Sequence, residues 1–149
     1  MIRCMNCMKE YEEEYELCPW CGFVHGTPPN EVYHLHPEMI LSDRYIVGTV
    51  IDFGGFGITY RAWDQNLDAM VAIKEFYPTA LVNRVPGTKD VEVYSEKQRK
   101  EFSNGLTRFL DEARNTAKFM DHPNIVHVYD FFEENGTAYI VMEYLDGMN

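Results

Sequence analysis

The chain has 149 residues and a formal net charge of −11, with 46% apolar and 25% charged residues. This composition is globular, and its acidity argues against nucleic acid or an anionic membrane surface as partner, because both would repel it. No run of about 20 apolar residues is present and the N-terminus has no apolar signal segment, so we expect a cytoplasmic location. A membrane anchor downstream of Asn149 is left open.

All four cysteines lie within the first 21 residues, as the pairs Cys4/Cys7 and Cys18/Cys21. A tight turn inside each C-x-x-C pair aims both sulfurs at one point, and two such turns build a tetrahedral thiolate site. The spacing therefore predicts a zinc ribbon over residues 1–25. Four protein ligands leave no open position on the metal, so the zinc is expected to be structural. Two disulfides, a redox pair and free thiols are the alternatives.

The ribbon is acidic, with five carboxylates between residues 8 and 17. We expect it to dock a protein partner or to be purely architectural, since this charge does not suit nucleic acid. Residues 26–43 are predicted to be a linker, because Pro28 and Pro29 resist regular structure. His34 and His36 lie there. They are read as ordinary linker residues and not as metal ligands, since four cysteines already complete the site.

A sheet is predicted from Tyr45 onward. β-Branched and aromatic runs at 45–51 and 58–63 flank a glycine-rich turn, whose backbone amides can approach a phosphate closely. In a third strand, at 69–76, period-two alternation places Ala72 and Lys74 on one face. Taken alone, a glycine-rich hairpin is often only a turn, and a strand lysine is often only exposed.

A helix is predicted from the capping box at Ser95 to Met120, with a stop at residues 121–124. Glu112 lies beside its apolar stripe and can reach Lys74; the alternative is a solvated carboxylate. Two strands, at 125–132 and 138–144, close the chain around an Asn-Gly turn.

From about Arg44 to Asn149, the order of these motifs resembles the N-terminal lobe of a bacterial, eukaryotic-type serine/threonine protein kinase. The resemblance implies an α+β fold over residues 44–149, with a five-stranded antiparallel sheet and one helix, αC. This lobe follows the small zinc ribbon in the sequence. The matching motifs are Gly54-Gly55-Phe56-Gly57-Ile58-Thr59-Tyr60, Val71-Ala72-Ile73-Lys74, Phe109-Leu110-Asp111-Glu112-Ala113, His122-Pro123-Asn124-Ile125-Val126 and Val141-Met142-Glu143-Tyr144-Leu145.

The resemblance also implies a site for ATP with Mg²⁺. Lys74 would contact the α- and β-phosphates, and Glu112 would be its ion-pair partner, so both support catalysis without performing it. Met142 would be the gatekeeper at the back of the pocket. The other implied nucleotide contacts are those of Ile51, Gly54, Gly55, Phe56, Gly57, Thr59, Ala72, Glu143 and Leu145.

The sequence departs from the family pattern in four places, one of which is Thr59 in place of the usual valine, a substitution expected to have little effect on shape. Asp52 stands where the first glycine of the loop is usual. The interval from Lys74 to Glu112 is 38 positions (112 − 74), which indicates a surface insertion at 76–94, with a short strand near Val91–Tyr94. The chain ends before the H-R-D-x-x-x-x-N and D-F-G segments, which supply the catalytic Asp and the Mg²⁺ ligands. We therefore expect the C-lobe to be absent and this chain alone to be inactive.

These features together predict the ATP-binding lobe of a kinase that phosphorylates serine or threonine of a protein substrate in the intact parent, with a ribbon for docking or regulation. One alternative is a pseudokinase-like scaffold in which Asp52 weakens nucleotide binding. Another is a ribbon-based interaction module without catalysis. Because αC and the hinge normally pack against a second lobe, we expect exposed apolar groups near Met120, Tyr144 and Leu145 and weak self-association.

Overall fold

The structure is a computed structural model, and it describes residues 1–117 and 127–145. No helix within these ranges is both long and apolar enough to cross a membrane. In chain order the elements are β1 (Ile2–Arg3), β2 (Glu10–Tyr11), β3 (Ile40–Leu41), β4 (Tyr45–Phe53), β5 (Gly57–Asp64), β6 (Ala69–Phe76), β7 (Val82–Asn83), β8 (Glu92–Val93), α1 (Glu96–Ala117), β9 (Val128–Glu134) and β10 (Thr137–Glu143).

The first residues form a small module around the antiparallel pair β1–β2, in which Ile2 lies opposite Tyr11. Its buried core consists of Cys4, Tyr11 and Cys18. So small a core needs an additional cross-link or metal to be stable by itself.

The main sheet is antiparallel and has the strand order β3-β4-β5-β6-β10-β9. The prediction of five strands is therefore wrong by one. Ile40 and Leu41, which the sequence placed in the linker, pair with Ile46 and Tyr45 of β4. A two-residue strand is too short to show an alternating pattern in the sequence. It is recognised only in the structure, from its pairing with β4 and the burial of Leu41 in the core.

The predicted helix is confirmed as α1. It begins at the predicted position, after Ser95, whose hydroxyl donates to the Gln98 side-chain oxygen at 3.1 Å; this contact joins two side chains and is not one of the side-chain-to-backbone bonds of a capping box. Residues 118–126 lie outside the described residues. They include the predicted end of the helix, the stop after it and the first two residues of the strand predicted at 125–132. The final hairpin is confirmed as β9 and β10, joined at Asn135 and Gly136, which both have positive φ.

Helix α1 packs on the face of the sheet that carries Lys74. The ring of Phe76 lies between those of Phe102 and Phe109, with centroid distances of 5.4 and 5.3 Å. Gly105 allows this approach, because a Cβ there would lie 2.8 Å from Phe76 Cζ. Aromatic packing on β6 thus sets the distance between the helix and the sheet.

The opposite face of the sheet is also covered. Residues 33–41 and the segment after β6 lie over it, and that segment forms the small β7–β8 pair, which confirms the predicted short strand near residues 91–94. At the centre, the fully buried Glu75 carboxylate accepts hydrogen bonds from the hydroxyls of Tyr60 (3.1 Å) and Tyr139 (2.7 Å) and from the Arg84 guanidinium. The Leu35 amide donates to the Tyr60 hydroxyl at 3.0 Å. One buried network therefore joins the predicted linker, the predicted insertion and the sheet.

His34 is buried in this covering layer. Its ring lies 4.7 Å from that of Phe53 and 4.8 Å from that of Tyr33, both edge-on. Neither ring nitrogen has a hydrogen-bond partner among the described residues. Burial, with a smaller contribution from the positive charge of Arg84, lowers the pKa of His34 to about 4. The histidine is therefore held neutral in an apolar setting at neutral pH.

Candidate functional site

The glycine-rich turn joins β4 and β5, and its tip is fastened to the chain that follows β6. The Gly54 amide donates to the Gly57 carbonyl at 3.0 Å, which closes the turn. The amides of Tyr77 and Thr79 donate to the carbonyls of Phe56 and Gly55, both at 3.0 Å. The first residues of the predicted insertion therefore hold the glycine-rich turn in position. Phe56 at the tip is 78% exposed.

Gly57 lies where the turn meets β6. A Cβ at this position would lie 3.0 Å from the Glu75 carbonyl oxygen and 3.3 Å from Lys74 Cε. A larger residue would therefore displace the Lys74 side chain or the strand. At Gly54 and Gly55, by contrast, a Cβ would meet nothing within 4 Å, so both face open space.

Strand register brings most predicted nucleotide contacts onto one face. Thr59 lies opposite Lys74, and Ala72 lies opposite Met142. Directly opposed residues of an antiparallel pair share a face, and residues two apart on one strand do so as well. Thr59, Ala72, Lys74 and Met142 therefore form one continuous surface on the side of α1.

Lys74 and Glu112 border the same space. A cavity of about 200 Å³ is lined by both, by Met142 and by Ile140, and a second one of about 300 Å³ is lined by both together with Phe56. Both charged side chains are exposed. Within the described ranges, no ion pair closer than 4.0 Å joins them. The predicted ion pair stays a prediction.

The remaining predicted contacts are placed at the ends of strands. Ile51 is buried and lies where the β4–β5 register shifts between Val50 and Asp52. The amide of Glu143 donates to the His127 carbonyl at 2.9 Å. Leu145 is 42% exposed. Met120 lies outside the described residues, so the expected apolar contact surface stays a prediction.

Asp52 is exposed, and its carboxylate accepts a hydrogen bond from the amide of Phe53 at 2.9 Å. The negative charge is thus held against the backbone at the entry to the glycine-rich turn.

The four cysteines form a second candidate site. All four are free thiols, and their sulfurs lie within 4.8 Å of one another. The distance from Cys4 to Cys21 is 3.6 Å and that from Cys7 to Cys18 is 3.7 Å. A tetrahedral zinc site with Zn–S bonds of about 2.3 Å has sulfur–sulfur edges of about 3.8 Å, whereas a disulfide requires about 2.05 Å. The donor set and its spacing therefore fit a tetrahedral metal ion.

Asn6 lies beside this cluster and donates to two of its sulfurs. Its backbone amide is 3.4 Å from the sulfur of Cys4, and its side-chain amide is 3.6 Å from that of Cys21. Burial raises the pKa of Cys21, but the hydrogen bonds from Asn6 and from the Phe23 amide outweigh it, and the pKa falls to about 7. Neither His34 nor His36 belongs to the described cluster.

Sequence reasoning missed two connections of the site. One is the anchoring of the glycine-rich turn by residues 77–79. The other is the contact of the cysteine module with β4, where the Thr49 amide donates to the Met5 carbonyl at 3.0 Å, and with β5, where the Arg3 guanidinium lies over the ring of Trp63. The second had a signal: Gly48 interrupts an otherwise β-branched strand, and a glycine in a strand interior often marks close approach of another backbone. The first had none, because backbone hydrogen bonds do not depend on side-chain identity.

Comparison with known proteins places most of the chain beside bacterial kinases. No family model matches. The chain is 39% identical over 108 residues to serine/threonine-protein kinase PrkC of Bacillus subtilis, covering 72% of this chain and 14% of PrkC. It is 38% identical over 111 residues to serine/threonine-protein kinase PknB of Mycobacterium leprae, covering 72% and 15%. The solved structure of the PpkA-294 apo form is similar with a TM-score of 0.70 and 38% identity, covering 75% of this chain and 39% of that one. The chain thus spans a small part of the length of the curated relatives that it matches.

Proposed function

We propose that this chain is the nucleotide-binding lobe of a serine/threonine protein kinase and that it binds ATP with Mg²⁺ on the face of the sheet that carries Lys74. The observation that carries the proposal is the shared surface of Thr59, Ala72, Lys74 and Met142 beside a glycine-rich turn, in a chain 38–39% identical to bacterial serine/threonine kinases. ATP would supply the transferable phosphoryl group for a protein substrate in the intact parent.

Each residue has a physical reason for its part. The Lys74 ammonium is exposed next to the turn and forms no ion pair with the residues that the structure describes, so it is available to phosphate oxygens. Met142 lines the smaller cavity and offers an apolar surface for a planar base, with the fully buried Ala72 opposite it in the sheet. Glu112 lines the same cavities as Lys74, and a movement of α1 that brought the two side chains together would form the ion pair that kinases require for transfer. The Mg²⁺ ligands of that family lie in segments that this sequence does not contain.

We also propose that Cys4, Cys7, Cys18 and Cys21 hold one structural Zn²⁺. Support comes from the sulfur distances of 3.6 and 3.7 Å, which match the edges of a tetrathiolate site. The small core of the module supports it further, since so few buried residues need a metal to stay folded. The measurement is zinc content per chain, by release with a thiol reagent: one equivalent is expected, and none in Cys18→Ser.

The test of nucleotide binding is a titration of the chain with a fluorescent ATP analogue and Mg²⁺. Saturable binding is expected, and Lys74→Met should weaken it by about tenfold or more, as expected for loss of one charge-assisted contact. Lys100→Met is the matched control, because this exposed lysine of α1 lies outside both cavities and removes the same charge. Equal affinity of the two variants would contradict the assignment of Lys74.

The competing function is a scaffold that does not bind nucleotide. One observation favours it: where the kinase family has glycine, this chain has the Asp52 carboxylate, which lies at the entry to the glycine-rich turn and accepts a hydrogen bond from the Phe53 amide. Asp52→Gly separates the two. If the native chain binds weakly and Asp52→Gly binds much more tightly, the scaffold is favoured. If both bind alike, Asp52 has no influence on the nucleotide.

A further inference from the structure

We propose that the four-cysteine module regulates the kinase-like lobe of its own chain. The module docks on β4 and β5, and a metal ion bound by its thiolates keeps β4 and the glycine-rich turn structurally ordered. The proposal rests on the proposed zinc site. It is carried by a continuous line of hydrogen bonds from the sulfurs to the sheet and by a close fit of the two backbones.

The line begins at Asn6, which contacts both halves of the cysteine site. Its backbone amide donates to Cys4 and its side-chain amide donates to Cys21, so its position depends on the sulfurs of both C-x-x-C pairs. The side-chain oxygen of the same residue points to the sheet and accepts a hydrogen bond from the Thr49 hydroxyl at 2.8 Å.

Thr49 continues the line into the sheet. Its hydroxyl accepts from the Arg61 guanidinium at 3.0 Å, which leaves the single hydroxyl proton for Asn6. Its backbone amide donates to the Met5 carbonyl at 3.0 Å. The β4–β5 register shifts between Val47 and Val50, so the module supplies a partner where the ladder is interrupted.

The backbones fit closely at this point. A Cβ at Gly48 would lie 2.3 Å from the Met5 carbonyl oxygen and 2.5 Å from Met8 Cε. Met5 and Met8 are 5% and 3% exposed, so the contact excludes water. At its edge, the Arg3 guanidinium lies 3.7 Å from the ring centroid of Trp63 on β5, a favourable cation–π geometry.

The contact lies next to the proposed nucleotide site. Five residues after Thr49 the chain reaches the glycine-rich turn at Gly54, and Arg61 is paired with Ala72 on the Lys74 face. Without metal, nothing links the two C-x-x-C turns, and the core of the module is too small for it to stay folded. The Thr49 amide then loses its partner, and β4 is released beside the turn. A ribbon that served only as a handle for another protein would leave β4 unchanged.

The experiment is amide hydrogen exchange of the full chain, with and without zinc removal by a chelator, in the absence of nucleotide. In the native chain, removal should speed exchange across residues 45–57 by about tenfold, the size expected when one or two hydrogen bonds are lost net of water. In Thr49→Val and in Gly48→Ala, the same residues should exchange quickly even with zinc bound. Thr88→Val is the matched control, because within residues 1–117 and 127–145 its hydroxyl bonds only to the nearby Val85 carbonyl; it should behave like the native chain.

Zinc content, measured in parallel, separates the possible failures. If zinc binds but exchange at 45–57 does not depend on it, the coupling is overturned while the metal site stands. If no zinc binds, both fall. If Thr49→Val and Gly48→Ala keep the full native response to zinc, the route through Thr49 is wrong. None of these outcomes depends on ATP binding, so the proposed kinase function is judged separately.

Discussion

Replacing Arg84 with methionine tests whether the buried Glu75 network holds the outer layer to the sheet. Both side chains of this pair are 0% exposed. The guanidinium also donates to the Tyr33 carbonyl at 2.8 Å and to the Lys89 carbonyl at 3.2 Å. Arg84→Met therefore leaves a carboxylate without its counter-charge and removes the donor from two carbonyls.

The expected loss is about 3–5 kcal/mol of unfolding free energy, the usual cost of removing one partner of a buried ion pair. The hydroxyls of Tyr60 and Tyr139 still donate to Glu75, which keeps the cost from rising further. A domain of this size has an unfolding free energy of roughly 5–15 kcal/mol. The variant should therefore be much less stable than the native chain but still folded at low temperature.

The assay is urea unfolding at neutral pH, followed by tryptophan fluorescence. Arg99→Met is the control, since its pair with Glu96 is exposed and its loss should change stability by less than about 0.5 kcal/mol. The double variant Glu75→Gln with Arg84→Met should recover part of the loss, because no buried charge remains. A loss below about 1 kcal/mol in Arg84→Met, or a double variant no more stable than the single one, would refute the reasoning.

Three further predictions concern other parts of the structure. Folding lowers the pKa of His34 from 6.5 to about 4, so below pH 6.5 the unfolded chain binds a proton that the folded chain does not. The free energy of unfolding should therefore fall by up to about 3 kcal/mol as the pH drops from 6.5 towards 4. His34→Phe should flatten this part of a curve of stability against pH, and an unchanged slope would contradict the burial of a neutral His34. Phe76→Ala should cost about 3–5 kcal/mol in urea unfolding, because it empties the contact between β6 and α1; a loss below about 1 kcal/mol would contradict that packing. Cys18→Ser, at a fully buried sulfur, should abolish the first step of a two-step thermal unfolding curve by leaving residues 1–25 unfolded; retention of that step would contradict metal-dependent folding of the module.

The elements with strong local signals were predictable from the sequence. The glycine-rich hairpin and the Asn135-Gly136 turn each depend on a few adjacent residues, and the structure confirms both. Period-two alternation likewise predicted that Ala72 and Lys74 share a face. These features follow from the backbone preferences of single residues and from strand geometry.

The covering layer could not be predicted in the same way. The sequence around Leu35 and Leu41 is rich in proline and histidine and shows no period, although both leucines are fully buried. Arg84 resembles an ordinary surface residue until Glu75 is known to face it from inside the sheet. For Lys74 and Glu112 the motif predicts a shared location, but the packing of α1 on Phe76 sets their separation.

The order of the strands has a consequence for how the chain is made. Glu75 receives the Tyr139 hydroxyl across 64 positions, and the Tyr45 hydroxyl donates to Asp130 across 85. Among the described strands, the edge of β6 that faces away from β5 pairs with β10, so this edge has no partner until residues 137–143 have been synthesised. Such distant pairing slows folding and leaves a strand edge open to other chains. During translation, nascent chains should therefore be prone to bind chaperones until β10 emerges from the ribosome.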